Sequence, residues 1–289
     1  MRILLIGEVC VDEFVYGKCD RICQEAAVPI FVVENVFNVP RKIRSQGMCA
    51  NVFRNIKSLR EDISIDLISN ENEIVKTRLM DTTHNSIVYR IDENDAVPPI
   101  NLEMLPNSKF DAVVGSDYDK EFLSNSDLLF IASKYKCPKF IDTKKIIQKE
   151  WGPLFDFIKI NSYELKNNLQ AHWDIGTLLK TVRTLIVTKG KDGSSLYTNS
   201  KTTHFDPVKV KAKNVSGAGD TFLAALVVQY LDKYDIEESI RFANMCAALA
   251  VQKDLVSTVS YGEINNLKRS DSKELEIEKE GVRTSIIRS

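Results

Sequence analysis

Residues 214–222 read Asn-Val-Ser-Gly-Ala-Gly-Asp-Thr-Phe, and an apolar helical pattern begins directly after them at Leu223. The small residues allow the backbone N–H groups from Gly217 to Asp220 to converge where this helix starts. Because unpaired amides and the helix dipole favour negative charge there, the segment predicts a site for a phosphate or a developing anion. Asp220 would lie in the first turn, where a carboxylate can take a proton from a hydroxyl that attacks a phosphoryl group. The alternative is a glycine-bearing turn in which Asp220 only stabilises the helix N-terminus.

The chain has the composition of an ordinary folded protein. Its 289 residues include 39 Lys and Arg against 40 Asp and Glu, so the formal net charge is −1. A charge this close to zero argues against a nucleic-acid partner, and no apolar run approaches the roughly eighteen residues that span a bilayer. The N-terminal run 2–7 is typical of a first strand rather than of a secretory signal, and the six scattered cysteines favour reduced thiols. We therefore expect a cytoplasmic protein with no membrane or nucleic-acid partner.

Short apolar runs alternate with helical patterns along the chain, which predicts an α/β fold with a mostly parallel central sheet covered by helices on both faces. The predicted strands are 2–7, 63–69, 112–116, 128–132, 140–142, 157–161 and 185–188. The predicted helices are 50–59, 144–150, 162–169, 175–182, 219–231 and 236–253.

Two further segments, 29–39 and 86–92, alternate in strand fashion without a neighbouring helix, which predicts a small second sheet outside the main layer. We expect one domain over residues 1–267, with a small β lid whose strands lie within about 12–45 and 84–98. Residues 268–289 are charged and weakly patterned, which predicts a C-terminal tail.

Three motifs make the sequence recognisable. Residues 214–222 resemble the D-T-x-G-A-G-D-T-F signature of the ribokinase (PfkB) carbohydrate kinases. Residues 161–164 resemble the N-x-x-E motif of that family, and residues 187–193 are similar to its V-T-x-G-x-x-G turn. The motifs fall in the order of the family. The resemblance therefore implies a ribokinase-like fold and a carbohydrate kinase that uses ATP and Mg²⁺.

The resemblance also assigns roles on the nucleotide side. Asp220 would be the general base, and the residues before it would form an anion hole, namely Gly217, Ala218 and Gly219. The expected nucleotide-binding residues are Asn161, Glu164, Thr188, Gly190 and Asn244. Among them, Glu164 would hold the metal with Asn161 acting through water, since Mg²⁺ keeps most of its waters. Asn161 as a helix cap and Asn244 as a core polar residue remain the alternatives.

Within the family the chain most resembles the heptose 7-phosphate kinases. The segments are GEVCVD at 7–12, KTR at 76–78, RID at 90–92 and SDY at 116–118, and the resemblance covers about residues 2 to 267. It implies that the chain phosphorylates a sugar phosphate hydroxyl, with the anomeric position of D-glycero-D-manno-heptose 7-phosphate as the expected acceptor.

Seven residues are expected on the acceptor side, namely Asp12, Gly47, Asn51, Lys76, Arg78, Arg90 and Asp117. A carboxylate such as that of Asp12 can accept hydrogen bonds from two sugar hydroxyls, and Gly47 and Asn51 match a family turn that faces the sugar. The three cations would bind a substrate phosphate, or would be ordinary solvated charges on lid strands. Asp117 would contact substrate or form a structural ion pair with Lys120.

The chain also departs from the family pattern. Met48 stands where a second glycine belongs, Phe53 replaces a small residue, and Asn214 replaces an acid. Residues 41–46 look like an insertion with three positive charges. These charges would bind a substrate phosphate, or the segment would be a plain exposed loop, and the loop is favoured. These departures leave open a kinase for another sugar or sugar phosphate, or a catalytically weak sugar-binding scaffold. The exposed edges of the lid suggest a homodimer.

Overall fold

The computed structural model describes residues 1–267, and the tail predicted at 268–289 lies outside the described residues. The strands are β1 (Arg2–Gly7), β2 (Val9–Ile22), β3 (Pro29–Val33), β4 (Asn35–Val36), β5 (Val39–Pro40), β6 (Lys42–Met48), β7 (Ser64–Ile68), β8 (Ile74–Asp81), β9 (Ser86–Glu93), β10 (Ala112–Asp117), β11 (Lys139–Thr143), β12 (Phe157–Asn161), β13 (Leu185–Thr188), β14 (Ser194–Tyr197) and β15 (Thr202–Phe205). The helices are α1 (Cys49–Leu59), α2 (Asn125–Lys134), α3 (Ser162–His172), α4 (Ile175–Leu179), α5 (Ala218–Lys233) and α6 (Ile236–Ala250), and residues 261–267 are also helical.

The central sheet has the order β15-β14-β13-β12-β11-β10-β1-β7. Its strands are parallel from β7 to β13, whereas β14 and β15 extend one edge in antiparallel fashion. The prediction of a mostly parallel central sheet flanked by helices is confirmed. No helix within residues 1–267 is long and apolar enough to cross a membrane.

Strand β1 shows why these strands are apolar runs. Ile3 and Leu5 pack into a core with residues of α1, α5 and α6, whereas Leu4 and Ile6 pack into a second core that contains the fully buried Trp151. Because both faces are covered, the four consecutive residues from Ile3 to Ile6 are all apolar. At the surface, by contrast, α3 ends at Trp173, whose side chain is 92% exposed.

A second sheet stands outside the central layer, in the order β3-β2-β8-β9 with β6 also paired to β2. Strand β2 follows β1 after the single residue Glu8, so this sheet grows from the carboxyl end of a central strand. Strands β3 and β9 lie in the two segments for which the sequence predicts strands outside the main layer. The sequence reasoning does not find β8, which runs between β2 and β9.

Three local predictions are wrong. Residues 128–132 lie in α2, which Ser124 caps, because a short apolar run does not distinguish a buried helix from a strand. Residues 144–150 form turns and irregular backbone, since the Asn168 side chain accepts the backbone N–H of Ile147 and holds the segment outside a helix. Residues 41–46, expected as an exposed loop, lie largely in β6 and pair with β2.

Candidate active site

The carboxyl ends of β12 and β13 and the start of α5 surround a cavity of about 620 Å³. Ligands of open parallel sheets bind in the crevice at this end of the strands. Its polar lining includes Lys144, Lys159, Asn161 and Thr188, and Asn244 reaches it from α6. Apolar side chains of the loop before α5 and of α6 line the remaining wall, namely Val208, Val210, Val215, Ala247 and Val251.

Helix α5 begins beside this cavity with a backbone that favours glycine. Gly217 has a left-handed φ of 79°, and a Cβ there would lie 2.7 Å from Asn51 Nδ2 and 2.9 Å from Val256 Cγ1. A side chain would therefore displace Asn51 or strain the turn. Ala218 and Gly219 follow in the first turn, and both line the cavity.

Asp220 lies in the same turn and is only 2% exposed. Its Oδ1 accepts a 2.5 Å hydrogen bond from the Tyr118 hydroxyl, and its Oδ2 accepts a 3.2 Å bond from Asn51 Nδ2. Burial raises the pKa of Asp220 to about 6, although both hydrogen bonds lower it. A carboxylate that titrates this close to neutral pH is suited to general acid–base chemistry.

The structure places the Asn51 side chain against Asp220 rather than free to face an acceptor. Its Nδ2 also points at the carbonyl of Gly217, at 3.3 Å. Asn55, one turn later in α1, donates to Asn51 Oδ1 at 3.1 Å and so fixes the orientation of the amide. The family turn at 47–51 therefore holds Asp220 from the side of α1.

A buried ion pair that the sequence reasoning missed lies beside Gly219. Lys159 Nζ donates to Asp142 Oδ2 at 2.6 Å, and Lys159 Nζ is 2.9 Å from where a Cβ of Gly219 would be. The signal in the sequence is a lysine in the middle of the apolar strand β12, where a buried charge is costly unless it is paired. The pair places the Lys159 ammonium group beside the N-terminus of α5, with its charge balanced by Asp142.

Asn161 and Glu164 form a reciprocal capping box at the start of α3. Asn161 is therefore a helix cap, as the alternative interpretation of this residue expects. The Asn161 side chain accepts the backbone N–H groups of Tyr163 and Glu164, and Glu164 Oε2 accepts the N–H of Asn161 at 2.6 Å. Lys144 Nζ lies 2.5 Å from Glu164 Oε1. Asn161 still lines the cavity, together with Thr188, Gly190 and Asn244, whereas Glu164 lies behind it. Asn244 also donates to Ser194 Oγ at 2.9 Å.

Strand register puts the expected acceptor residues on one face of the second sheet. Asp12 lies opposite Lys76 between β2 and β8, and Arg78 lies opposite Arg90 between β8 and β9. Arg78 Nη1 donates to Asp12 Oδ1 at 2.5 Å, with both side chains at most 10% exposed. A Cβ on Gly47 would overlap Asp12 Oδ2, so this position requires glycine.

Two of the expected acceptor residues have other partners. Arg90 is exposed and pairs with Asp92. Asp117 accepts a 2.6 Å hydrogen bond from Thr143 and faces Lys145 Nζ at 3.3 Å, and burial raises its pKa to about 6. Lys120, the alternative partner of Asp117, pairs instead with Asp95.

The positive charges of the segment 41–46 face carboxylates of the second sheet and its loops. Arg41 Nη1 lies 3.1 Å from Glu34, Arg44 Nη2 lies 2.7 Å from Glu73, and Lys42 Nζ lies 3.5 Å from Glu13. These pairs leave little unpaired charge for a substrate phosphate.

The donor set for a magnesium ion is small. Within residues 1–267, no group of three His, Cys, Asp or Glu side chains could hold a metal ion. Glu164 is engaged by Asn161 and Lys144, but no donor in the described residues reaches the buried Oδ1 of Asp142 in the cavity wall. Such residues fit an ion that keeps most of its waters and is bound largely by phosphate oxygens.

The sequence of this chain is similar to sequences of known proteins. Residues 128–260 match the profile of a family described as pfkB family carbohydrate kinase. Bifunctional protein HldE of Campylobacter curvus is 28% identical, over 93% of this chain and 65% of its own length, and that of Sulfurimonas denitrificans is 26% identical, over 93% and 64%. The chain thus spans about 65% of the length of these curated relatives. Over residues 128–260 the chain is similar to pfkB family carbohydrate kinases.

Solved structures share the fold. The ribokinase from Thermotoga maritima has a TM-score of 0.74 and 16% identity, covering 92% of this chain and 99% of that chain. The predicted ribokinase-like fold is confirmed, and the domain match and the curated relatives support a kinase.

Proposed function

We propose that this chain, which carries a pfkB carbohydrate kinase domain, transfers the γ-phosphoryl group of ATP to the anomeric hydroxyl of D-glycero-D-manno-heptose 7-phosphate. The observation that carries the proposal is the position of Asp220, a buried carboxylate in the first turn of a helix whose N-terminus opens onto the cavity. The HldE relatives, which suggest a heptose phosphate kinase, support this choice of acceptor.

The cavity is suited to ATP. Its volume lies within the range of about 300–1,000 Å³ that is usual for small-molecule sites, and its apolar wall can cover a base. Lys144 and Lys159 bring positive charge to the end near α5, where phosphates would lie. In this arrangement Thr188 and Gly190 lie beside the phosphates and Asn244 lies near the adenine.

Asp220 removes the proton of the acceptor hydroxyl. Its charged form predominates above a pH of about 6, so the base is available at neutral pH. The backbone amides of Gly217, Ala218 and Gly219 stabilise the charge on the transferred group, and Lys159 adds a cation beside them. Asn51 orients the carboxylate.

Magnesium would neutralise charge on the phosphate oxygens when bound. Asp142 would hold the ion through Oδ1, the carboxylate oxygen without a donor in the described residues, and Glu164 and Asn161 would act on it through water.

On the acceptor side, Asp12 binds sugar hydroxyls on the face of the second sheet that it shares with the three cations. Lys76, Arg78 and Arg90 bind the substrate phosphate through N–H groups that the pairs with Asp12 and Asp92 leave free. Gly47 leaves room for the Asp12 carboxylate. Asp117 does not contact the sugar and acts by fixing the loop that follows β10.

The test is magnesium-dependent ADP release by the purified chain with D-glycero-D-manno-heptose 7-phosphate. We expect turnover, and we expect Asp220→Asn to lower kcat by at least about a hundredfold. Asp206→Asn, at a side chain that is 96% exposed, is the matched control and should retain full activity. Turnover only on a hexose or ketose phosphate would reject the acceptor and keep the reaction. The absence of ADP release with every sugar and sugar phosphate would reject the kinase.

The proposal includes a cytoplasmic homodimer formed through the second sheet. Tyr89 and Ile91 on β9 are 64% and 41% exposed. By strand alternation both lie on the face opposite to Arg78 and Arg90, so a second copy can cover them without blocking the acceptor face.

A further inference from the structure

We propose that Tyr118 is a positioning residue for the base: its hydroxyl fixes the Asp220 carboxylate while Lys76 and Lys144 hold its ring. The catalytic part of this inference rests on the proposed function, whereas the contact itself rests on geometry. Tyr118, which resembles a family motif, contacts Lys144 on the nucleotide side of the site and Lys76 on its acceptor side.

The backbone of Tyr118 is tied to the centre of the molecule. Glu8 is fully buried between β1 and β2, and its Oε2 accepts the N–H of Tyr118 at 2.8 Å. Its Oε1 accepts the N–H of Lys120 at 3.0 Å. One carboxylate therefore clamps both ends of the turn that carries the tyrosine.

Two lysines lie against the ring. Lys76 Nζ is 5.5 Å and Lys144 Nζ is 5.1 Å from the ring centroid, within the usual range for attraction between a cation and an aromatic face. Lys144 lines the nucleotide cavity, whereas Lys76 belongs to the acceptor face of the second sheet. The ring therefore lies at the boundary between the two halves of the site, where phosphoryl transfer would occur.

The hydroxyl completes the arrangement by donating to Asp220 Oδ1 at 2.5 Å. A carboxylate has about four acceptor positions, so the bonds from Tyr118 and Asn51 leave room for an acceptor hydroxyl. The other titratable or charged groups that act on Asp220 are Asp142 and Lys159 from β11 and β12, Lys144 after β11, Cys10 from β2 and Cys49 from α1. Unlike these groups, Tyr118 donates a hydrogen bond to the Asp220 carboxylate.

The first test is the pH profile of Tyr118→Phe, which keeps the ring beside both lysines and removes only the donor. Because the donor favours the charged carboxylate, its loss raises the pKa of Asp220. We therefore expect the acidic limb of kcat to move upward by about one pH unit. At pH 7 we expect kcat to fall about tenfold through a misplaced base, with the KM for ATP within twofold of wild type.

Tyr135→Phe is the matched control. This tyrosine is 5% exposed and donates to the carbonyl of Pro106 at 2.8 Å, away from the site. It also loses a hydroxyl that donates a hydrogen bond, and the acidic limb of its kcat should stay where wild type has it. An acidic limb of Tyr118→Phe that coincides with that of wild type would overturn the inference.

A second measurement needs no turnover. Aspartate labelled with ¹³C at the carboxyl carbon reports the titration of Asp220, and the resonance missing from Asp220→Asn identifies it. We expect the midpoint in Tyr118→Phe to lie about one pH unit above wild type. The same shift in a chain that phosphorylates nothing would reject the proposed function and keep the Tyr118 contact. Equal midpoints in an active enzyme would reject the Tyr118 contact alone.

A further variant keeps the inference testable if Tyr118→Phe does not fold. With 3-fluorotyrosine at position 118 the phenol is a stronger donor, so the midpoint of Asp220 should move downward. An upward shift or no shift would contradict the inference.

Discussion

Burial and hydrogen bonding shift the pKa of Asp220 in opposite directions. Burial raises the pKa from 3.8 to about 6, and the bonds from Tyr118 and Asn51 offset only part of the rise. Between these values the folded chain holds a proton that the unfolded chain has released. The stability contributed by Asp220 is therefore present below about pH 4 and is lost as the pH rises through about 6. At neutral pH the charged carboxylate destabilises the fold.

The direction of this pH dependence predicts how the Asp220→Asn variant behaves on heating. Asp220→Asn removes the buried charge and keeps a side-chain oxygen for Tyr118, so its Tm at pH 7.5 should exceed that of wild type by about 2–4 °C. The gain should vanish at pH 4, where wild type is neutral at this position. Thermal unfolding at both pH values measures the effect, with Asp206→Asn as the exposed control. A gain of equal size at pH 4 would contradict the assignment to charge.

At the scale of elements, two helices start with the same capping box but differ in their surroundings. Asn161 caps α3 at the cavity, whereas Ser124 caps α2 with Asp127 away from it. Asn161→Ala and Ser124→Ala should each lower the free energy of unfolding by about 1 kcal/mol. Only Asn161→Ala should raise the KM for ATP, because it also frees Glu164. Urea unfolding and steady-state kinetics separate the effects, and an equal KM change in both variants would assign Asn161 to capping alone.

The same scale shows what the sequence predicts and what it does not. Strands β1, β10 and β12 are predictable because burial on both faces demands continuous apolar runs. Strand β8 is not, since Lys76 and Arg78 break the apolar alternation on the face that they share with Asp12. In the site, the motif residues Gly217, Ala218, Gly219, Thr188, Gly190 and Asn244 do meet around one cavity or at its edge. Tyr118 and Lys159 escape sequence reasoning because their partners, Asp220 and Asp142, are brought to them by folding.

At the scale of the whole molecule, one face of the second sheet carries Asp12, Lys76 and Arg78, and the opposite face exposes the apolar side chains of Tyr89 and Ile91. If a second copy covers the latter, Tyr89→Glu should weaken the dimer by at least about thirtyfold. Sedimentation velocity at micromolar concentrations measures the change. Phe130→Glu, at a side chain on α2 that is 45% exposed, should leave the dimer intact. A wild-type chain that sediments as a monomer would reject the homodimer.

The two tryptophans of the chain occupy opposite environments, with Trp151 enclosed in a core and Trp173 in contact with solvent. Emission from an enclosed indole is blue-shifted and shifts to the red once water reaches it, whereas an indole already in solvent changes little. The wavelength change on denaturation therefore originates at Trp151, in the layer behind the parallel strands. Dissolved iodide quenches the emission of Trp173 at the end of α3, and the other end of this helix lies at the cavity beside α5. The unlabelled protein thus carries two optical reporters, one for its interior and one for the helix that Asn161 caps.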